Sequence, residues 1–178
     1  LERDVSRQKL SLDRDAPILL FPYDPARKIK RFSLATAAVE ILKLEFPNIQ
    51  LIAIHERPYE HIPLYMNACD ALIMTSRSEG APVAIREAMA CNLPIASVDV
   101  GDVASVVGKT DNCAIVDAEP ETIANSISKI LRTGRRSNGR DFAAEMSVSS
   151  FAGSVAKIYE QLGSRSKLDV LEPQLQPQ

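Results

Sequence analysis

Five short apolar runs, at residues 17–21, 49–54, 71–75, 94–98 and 113–116, recur as continuous blocks rather than as alternating positions. Blocks of this kind predict strands buried on both faces, as in a parallel sheet covered by helices on either side. Helical periodicity fills the gaps. In 32–46, Leu34, Ala38, Ile41 and Leu42 form an apolar stripe with a polar back. Shorter helices are predicted at 62–68, from near Pro82, at 103–107 and at 121–131, with one or two across 141–162. Strands alternating with helices give an α/β fold with a doubly wound, Rossmann-like parallel sheet.

The ends break the pattern. Residues 1–15, with four Arg or Lys and four Asp or Glu, read as a linker or short helix. The domain spans 16–163, and 164–178, where Pro173 and Pro177 stand among glutamines, read as a flexible tail.

At 178 residues and 46% apolar content the chain suffices for one core. A net charge of -2 and a pI near 5.8 argue against a nucleic-acid partner. No apolar run approaches the ~20 residues that span a bilayer. The chain opens at Leu1 without a signal peptide, as expected of a trimmed N-terminus. Cys69, Cys91 and Cys113, widely spaced among small or apolar neighbours, read as reduced packed thiols of a cytoplasmic protein.

Candidate chemistry gathers after the third strand, in "RSEGAPVAIREAMACNLP", residues 77–94. Ligands of open parallel sheets bind at the carboxyl ends of strands, where this loop lies. Gly80 permits close approach of the backbone, and Pro82 suits the first position of a helix. Amides near Ala81, Val83 and Ala84 then offer an anion site. An ordinary strand-to-helix turn with a Ser cap is the alternative. Glu87, beside the buried set Ala84, Ile85, Ala88 and Met89, could accept two adjacent hydroxyls such as a ribose diol. Glu79 would sit nearer whatever the phosphates carry. A solvated surface role is the alternative for a helical Glu.

A second cluster, "ARKIKR" at 26–31, places four basic residues at a helix N-terminus, where the macrodipole favours negative charge. An anion such as a diphosphate would offset it, a solvated basic turn being the other reading. Gly101 and Asp102 reach the same sheet edge and could supply amides or a sugar contact, or simply a turn. His55 and His61 flank the loop after the second strand, where a base could pack beside Arg57 or Tyr59. Neither histidine has metal-ligand companions, and no Ser-His-Asp order, Walker loop or GxGxxG fingerprint is present.

The stretch "SRSEGAPVAIREAMACNLPIASVDVGD" resembles the donor-binding half of a family 4 (group 1) retaining glycosyltransferase of the GT-B fold. That family carries E-G-x-P followed by E-A-M-A-x-x-x-P, which Glu79 and Glu87 match, and the likeness runs from about Pro17 to Leu162. The resemblance implies that Glu87 holds the ribose of a nucleotide-diphosphate sugar. It gives Glu79 to the donor sugar and the amides near Gly80–Val83, those of Gly80, Ala81 and Val83 around Pro82, to the diphosphate. Lys30 and Arg27 would be its phosphate-neutralising pair. The family's Gly-Arg pair after the first strand is replaced here by Pro22-Tyr23, and its G-x-G-P turn after the second by "AIHERPYEHIP".

The implied activity is transfer of a hexosyl unit from a UDP- or GDP-linked donor, without cofactor or metal, to an unknown acceptor. The implied partner is an N-terminal acceptor-binding domain, since the chain begins near the interdomain linker of such enzymes. This leaves open peripheral membrane association of the whole enzyme, and predicts that the chain alone is inactive. A sugar-nucleotide epimerase of the same fold and a non-catalytic nucleotide-binding module are the competing readings.

Overall fold

The computed structural model describes residues 2–143 and 148–168. Its strands are β1 (Ile18–Phe21), β2 (Gln50–Ala53), β3 (Ala71–Met74), β4 (Ile95–Val98) and β5 (Ala114–Val116). All pair in parallel, in the order β2-β1-β3-β4-β5. The helices are α1 (Arg3–Lys9), α2 (Phe32–Leu42), α3 (Ile62–Ala68), α4 (Val83–Ala90), α5 (Val103–Val107), α6 (Pro120–Thr133), α7 (Gly139–Ala143) and α8 (Val148–Leu168). Helices α2 and α6 pack together on one face of the sheet, and α1, α3, α4 and α7 form the layer on the other. This is the doubly wound sheet expected from the sequence.

The apolar blocks become strands for a simple reason: β1, β3 and β4 have neighbours on both edges and helices on both faces, so every residue in them is buried. The expectation of full burial fails at the edges. All of β2 is half-buried, and only Val116 is buried in β5, because an edge strand lacks one neighbour and part of its cover. Leu19, Phe21, Ala71, Ile73 and Ala96 join Ala35, Ala38, Val39 and Leu42 of α2 and Ile123, Ala124, Ile127 and Ile130 of α6 in one core. Spacings of three and four residues put each helical set on a single face.

Helix α2 stops at Leu42 rather than reaching 46. Pro47 disfavours helical backbone at Phe46, and the chain turns through Lys43 and Leu44, the latter 89% exposed. Residues 2–15 are more than a linker. Arg7, 1% exposed, bonds the carbonyls of Asp13, Arg14, Ala16 and Ala68 and the carboxylate of Asp70, all at 2.8–2.9 Å. Asp70 also accepts from Arg3 and from the amide of Ile18, so α1 is fastened to the starts of β1 and β3. Residues 1–143 and 144–178 form separate units. Helix α8 carries the chain helically to Leu168, past the expected start of the tail at 164, and residues 169–178 lie outside the described residues.

Candidate functional site

Between β1 and β3 the strand order reverses: the chain leaves β1 for β2 on one side and returns to β3 on the other. The loops after these two strands therefore leave the same edge side by side, the place where open α/β sheets bind ligands. They are stitched together. The Arg77 amide donates to the Ile29 carbonyl at 2.8 Å, and the Thr75 hydroxyl to the carbonyls of Lys30 and Arg31 at 2.9 and 3.0 Å. Arg31, in the left-handed region at φ 50°, returns its guanidinium to the carbonyls of Thr75 and Ser76 at 2.5 and 3.2 Å. Of the four basic residues in this cluster, Arg31 is thus a structural tie, which composition alone could not distinguish.

Lys30 is buried, forms an ion pair with Glu79, and holds its ammonium 3.7 Å from the centre of the Tyr23 ring. Burial disfavours the charged Glu79, but the hydrogen-bonded Lys30 ammonium, with the Ser76 and Tyr23 hydroxyls nearby, outweighs it, so the carboxyl lies below the ordinary glutamate range. The buried Ser76 hydroxyl biases this carboxylate electrostatically without reaching hydrogen-bond geometry to any partner. Burial and the Glu79 charge drive Tyr23 well above the usual phenol range. Tyr23 went unremarked as a site residue in the sequence; an aromatic two positions past β1, in an otherwise polar loop, is the available signal. Arg27 remains exposed at the rim, acting on Tyr23 only through its charge.

Helix α4 begins at Val83, with Pro82 as its N-cap rather than its first helical residue. No side chain caps it, so the Ser cap of the alternative reading is absent, while the Ile85 amide turns back to the Pro82 carbonyl at 3.2 Å. Gly80 and Ala81 are exposed, and a Cβ built on Gly80 meets nothing within 4 Å. Open space therefore borders the loop amides. Gly101 and Asp102 reach this edge but turn inward. The Asp102 amide donates to the Gly80 carbonyl at 3.1 Å and its carboxylate pairs with Arg86, so the amide offered by sequence to a ligand is already engaged. The other Asp102 carboxylate oxygen is buried without a partner.

Glu87 sits half-buried on α4, and burial pushes its carboxyl above the ordinary range, with the Tyr59 hydroxyl acting the other way. Tyr59 comes from the short 3-10 turn Tyr59–His61 after β2, and is 72% exposed. Loops after β1, β2, β3 and β4 thus all contribute to one edge. His55 and His61 are exposed, and among the described residues no three His, Cys, Asp or Glu converge as a metal group. A separate cavity of about 320 Å³ lined by Arg3, Asp70 and Arg136 involves the starts of β1 and β3 instead. There the Arg136 guanidinium is taken up by the carbonyls of Met66, Cys69 and Cys91. The cysteines are unpaired, and burial pushes the Cys69 thiol up to about 12, so it stays protonated.

The family model for glycosyl transferases group 1 matches residues 45–145, more than half of the 178. The chain belongs to that family. As a group 1 glycosyl transferase chain it is 26% identical over 128 residues to an uncharacterized glycosyltransferase, MJ1178, of Methanocaldococcus jannaschii, covering 68% of this chain and 36% of that protein. Among solved structures it resembles the sucrose-phosphate synthase of Thermosynechococcus elongatus, with TM-score 0.69 and 22% identity over 90% of this chain and 49% of that one. It also resembles the C-terminal domain of the group 1 protein LpcC of Francisella tularensis, with TM-score 0.61 and 16% identity over 81% of this chain and 88% of that one. These likenesses establish the GT-B type of Rossmann-like fold. The group 1 chain spans about a third of its curated relative and half of the synthase. Among the described residues no helix is long and apolar enough to cross a membrane.

Proposed function

We propose that this chain is the donor-binding domain of a retaining glycosyltransferase and holds a nucleotide-diphosphate sugar at the β1/β3 switch point. The observation that carries the reading is the meeting of Lys30 and Glu79, from two different loops, beside the open space at Gly80 and the uncapped start of α4. An ammonium and a set of fixed amides at one place suit a diphosphate, whose charge grows as the sugar–phosphate bond breaks. Lys30 and the amides from Gly80 to Val83 take the phosphates, with Arg27 at the rim. Glu79 takes a donor-sugar hydroxyl, and Glu87 the ribose diol. No step requires a metal. Lys30 and Glu79 neutralise each other, so a donor must replace their mutual contact with its own.

Calorimetric titration of the chain with UDP-, GDP- and ADP-sugars, with and without EDTA, tests this. Weak, EDTA-insensitive binding of at least one of them is expected. Absence of binding to all three overturns the donor-domain reading, and binding lost on chelation overturns the metal-free mechanism.

A further inference from the structure

Resting on the donor-site reading, we propose that Tyr23 is the positioning residue of Lys30: its ring holds the ammonium at the phosphate end of the site when a donor sugar takes Glu79. The Lys30 ammonium stands 3.7 Å from the centre of the Tyr23 ring and pairs with Glu79 of the neighbouring loop. Among the described residues these are its two partners. The side chains of Lys30 and Glu79 are only 6% and 12% exposed, so water contributes little to holding either of them. The ring is fixed in turn. Phe21, the fully buried last residue of β1, meets Tyr23 edge-on at 5.9 Å between ring centres and 81° between planes. Phe32, the first residue of α2, meets Phe21 at 4.9 Å and 66°. A row of rings therefore runs from the core to the ammonium, each pair in the edge-to-face arrangement that aromatic quadrupoles favour.

The two partners of Lys30 hold it in different ways. Glu79 is an anion, so its contact cancels the charge that a phosphate would use. A ring face attracts a cation through its quadrupole and adds no net charge, and the attraction is strongest where water is excluded. The Tyr23 contact therefore fixes the ammonium while leaving its whole charge for the diphosphate. This matters at the moment of exchange. When a sugar hydroxyl takes Glu79, a lysine with no other partner is free to swing on its four-carbon stem toward water. The ring removes that freedom before the ligand arrives, so less rotamer entropy is lost on binding. Tyr23 thus acts through Lys30 and not on the ligand itself.

Tyr23→Phe keeps the ring and Tyr23→Leu removes it, and each is made in the parent and in Lys30→Ala. UDP, GDP and their nucleosides are titrated into all of them. Tyr23→Phe is expected to bind both diphosphates within about twofold of the parent, since phenyl and phenol faces both attract a cation. Tyr23→Leu is expected to bind them about five- to thirtyfold more weakly, with nucleosides unchanged. In the Lys30→Ala background the leucine is expected to cost nothing further. Equal losses in Tyr23→Phe and Tyr23→Leu overturn the ring contact, and an equal leucine loss with and without Lys30 overturns action through the ammonium. Since Tyr23 packs on Phe21, melting curves accompany each variant, and Tyr23→Met, whose flexible side chain refills the space, replaces the leucine where it does not fold. Proton spectra supply a readout that needs no affinity. The Lys30 methylene next to the ammonium is expected upfield over the ring, to stay there at saturating UDP or GDP, and to return to the ordinary lysine position in Tyr23→Leu. Loss of that shift on saturation overturns the proposal with donor binding intact. A parent that binds neither diphosphate overturns the donor-site reading, and this role with it, even where the shift shows the ammonium over the ring.

Discussion

Gly101 lies so close to Gly80 that a methyl group on Gly101 would collide with the Gly80 carbonyl oxygen and stand 3.0 Å from that of Glu79. Gly101 also holds φ +59°, where a side chain is strained. The turn after β4 therefore forms one wall of the loop after β3, joined to it by the Asp102 amide and the Arg86–Asp102 pair. Gly101→Ala should lower stability by ~1–3 kcal/mol and displace Glu79 and Gly80, weakening ligand binding as well. Gly80→Ala should behave oppositely, leaving the melting temperature unchanged while reducing binding, because its added methyl enters only the open space at the site. Thermal melts with nucleotide titrations of the two variants check the contrast.

Lys30 and Glu87 should act on different parts of a ligand. Lys30→Ala is expected to cost nucleoside diphosphates tenfold or more, the scale of a lost charge-assisted contact, while nucleosides bind nearly as before. Glu87→Ala should weaken both alike. Parallel titrations of UDP and uridine, or GDP and guanosine, decide between them, and equal losses in the Lys30 variant would remove its phosphate role.

Much of this arrangement was legible because chemistry and fold share one pattern. Apolar blocks fixed the strands, and the position of Glu79 after β3 with Glu87 in the next helix placed both at the carboxyl edge of the sheet, where open α/β sheets bind ligands. Hidden from the sequence were the contacts that only three-dimensional neighbours create. Arg31 and Lys30 are one residue apart and chemically alike, yet one binds carbonyls and the other Glu79. The inward turn of Asp102 likewise depends on Arg86 lying one α4 turn from Pro82, which no spacing rule announces. Strand edges were overestimated as buried because block hydrophobicity does not reveal which strands end a sheet.

Glu79 and Glu87 should give opposite signs of pH dependence. The Glu79 carboxyl lies below the ordinary value of 4.5, so the unfolded chain binds more protons there. Its stabilising contribution is present above that value and is lost as pH falls through the folded one. The Glu87 carboxyl lies above the same ordinary value, so its contribution is present at low pH and is lost as pH rises through its folded value. Melting curves of Glu79→Gln and Glu87→Gln between pH 3 and pH 7, an interval set by the ~1-unit spread of carboxyl values, check this. The deficit of Glu79→Gln should shrink toward acid, and Glu87→Gln should gain on the parent toward neutrality.

Arg7 should prove among the most sensitive positions for folding although it lies away from the candidate site. Removing it leaves the Asp70 carboxylate with Arg3 and the Ile18 amide only, and takes a donor from four carbonyls, of which that of Arg14 alone keeps Arg3. Loss of one partner from a buried pair costs about 3–5 kcal/mol. Denaturant unfolding of Arg7→Met, which keeps the apolar stem, is expected to show a loss of that size. A variant within ~1 kcal/mol of the parent would mean that water replaces these bonds.

Transfer is the step this chain should not perform alone. Both glutamates, the loop amides and Lys30 lie within the described residues, so donor binding needs nothing further from the chain. Turnover is different, because holding an acceptor against the donor is worth ~7–11 kcal/mol of barrier. The chain spans about half of the synthase structure it resembles, and the donor-domain reading looks for an acceptor-binding domain outside these residues. An open cleft also leaves the donor in water, which screens its charged contacts and weakens binding. Product assays with the chain alone, and with an acceptor-binding GT-B domain added, are expected to show donor binding in both and sugar transfer only in the second. Steady transfer by the chain alone would place the acceptor site within these residues and overturn the division of labour.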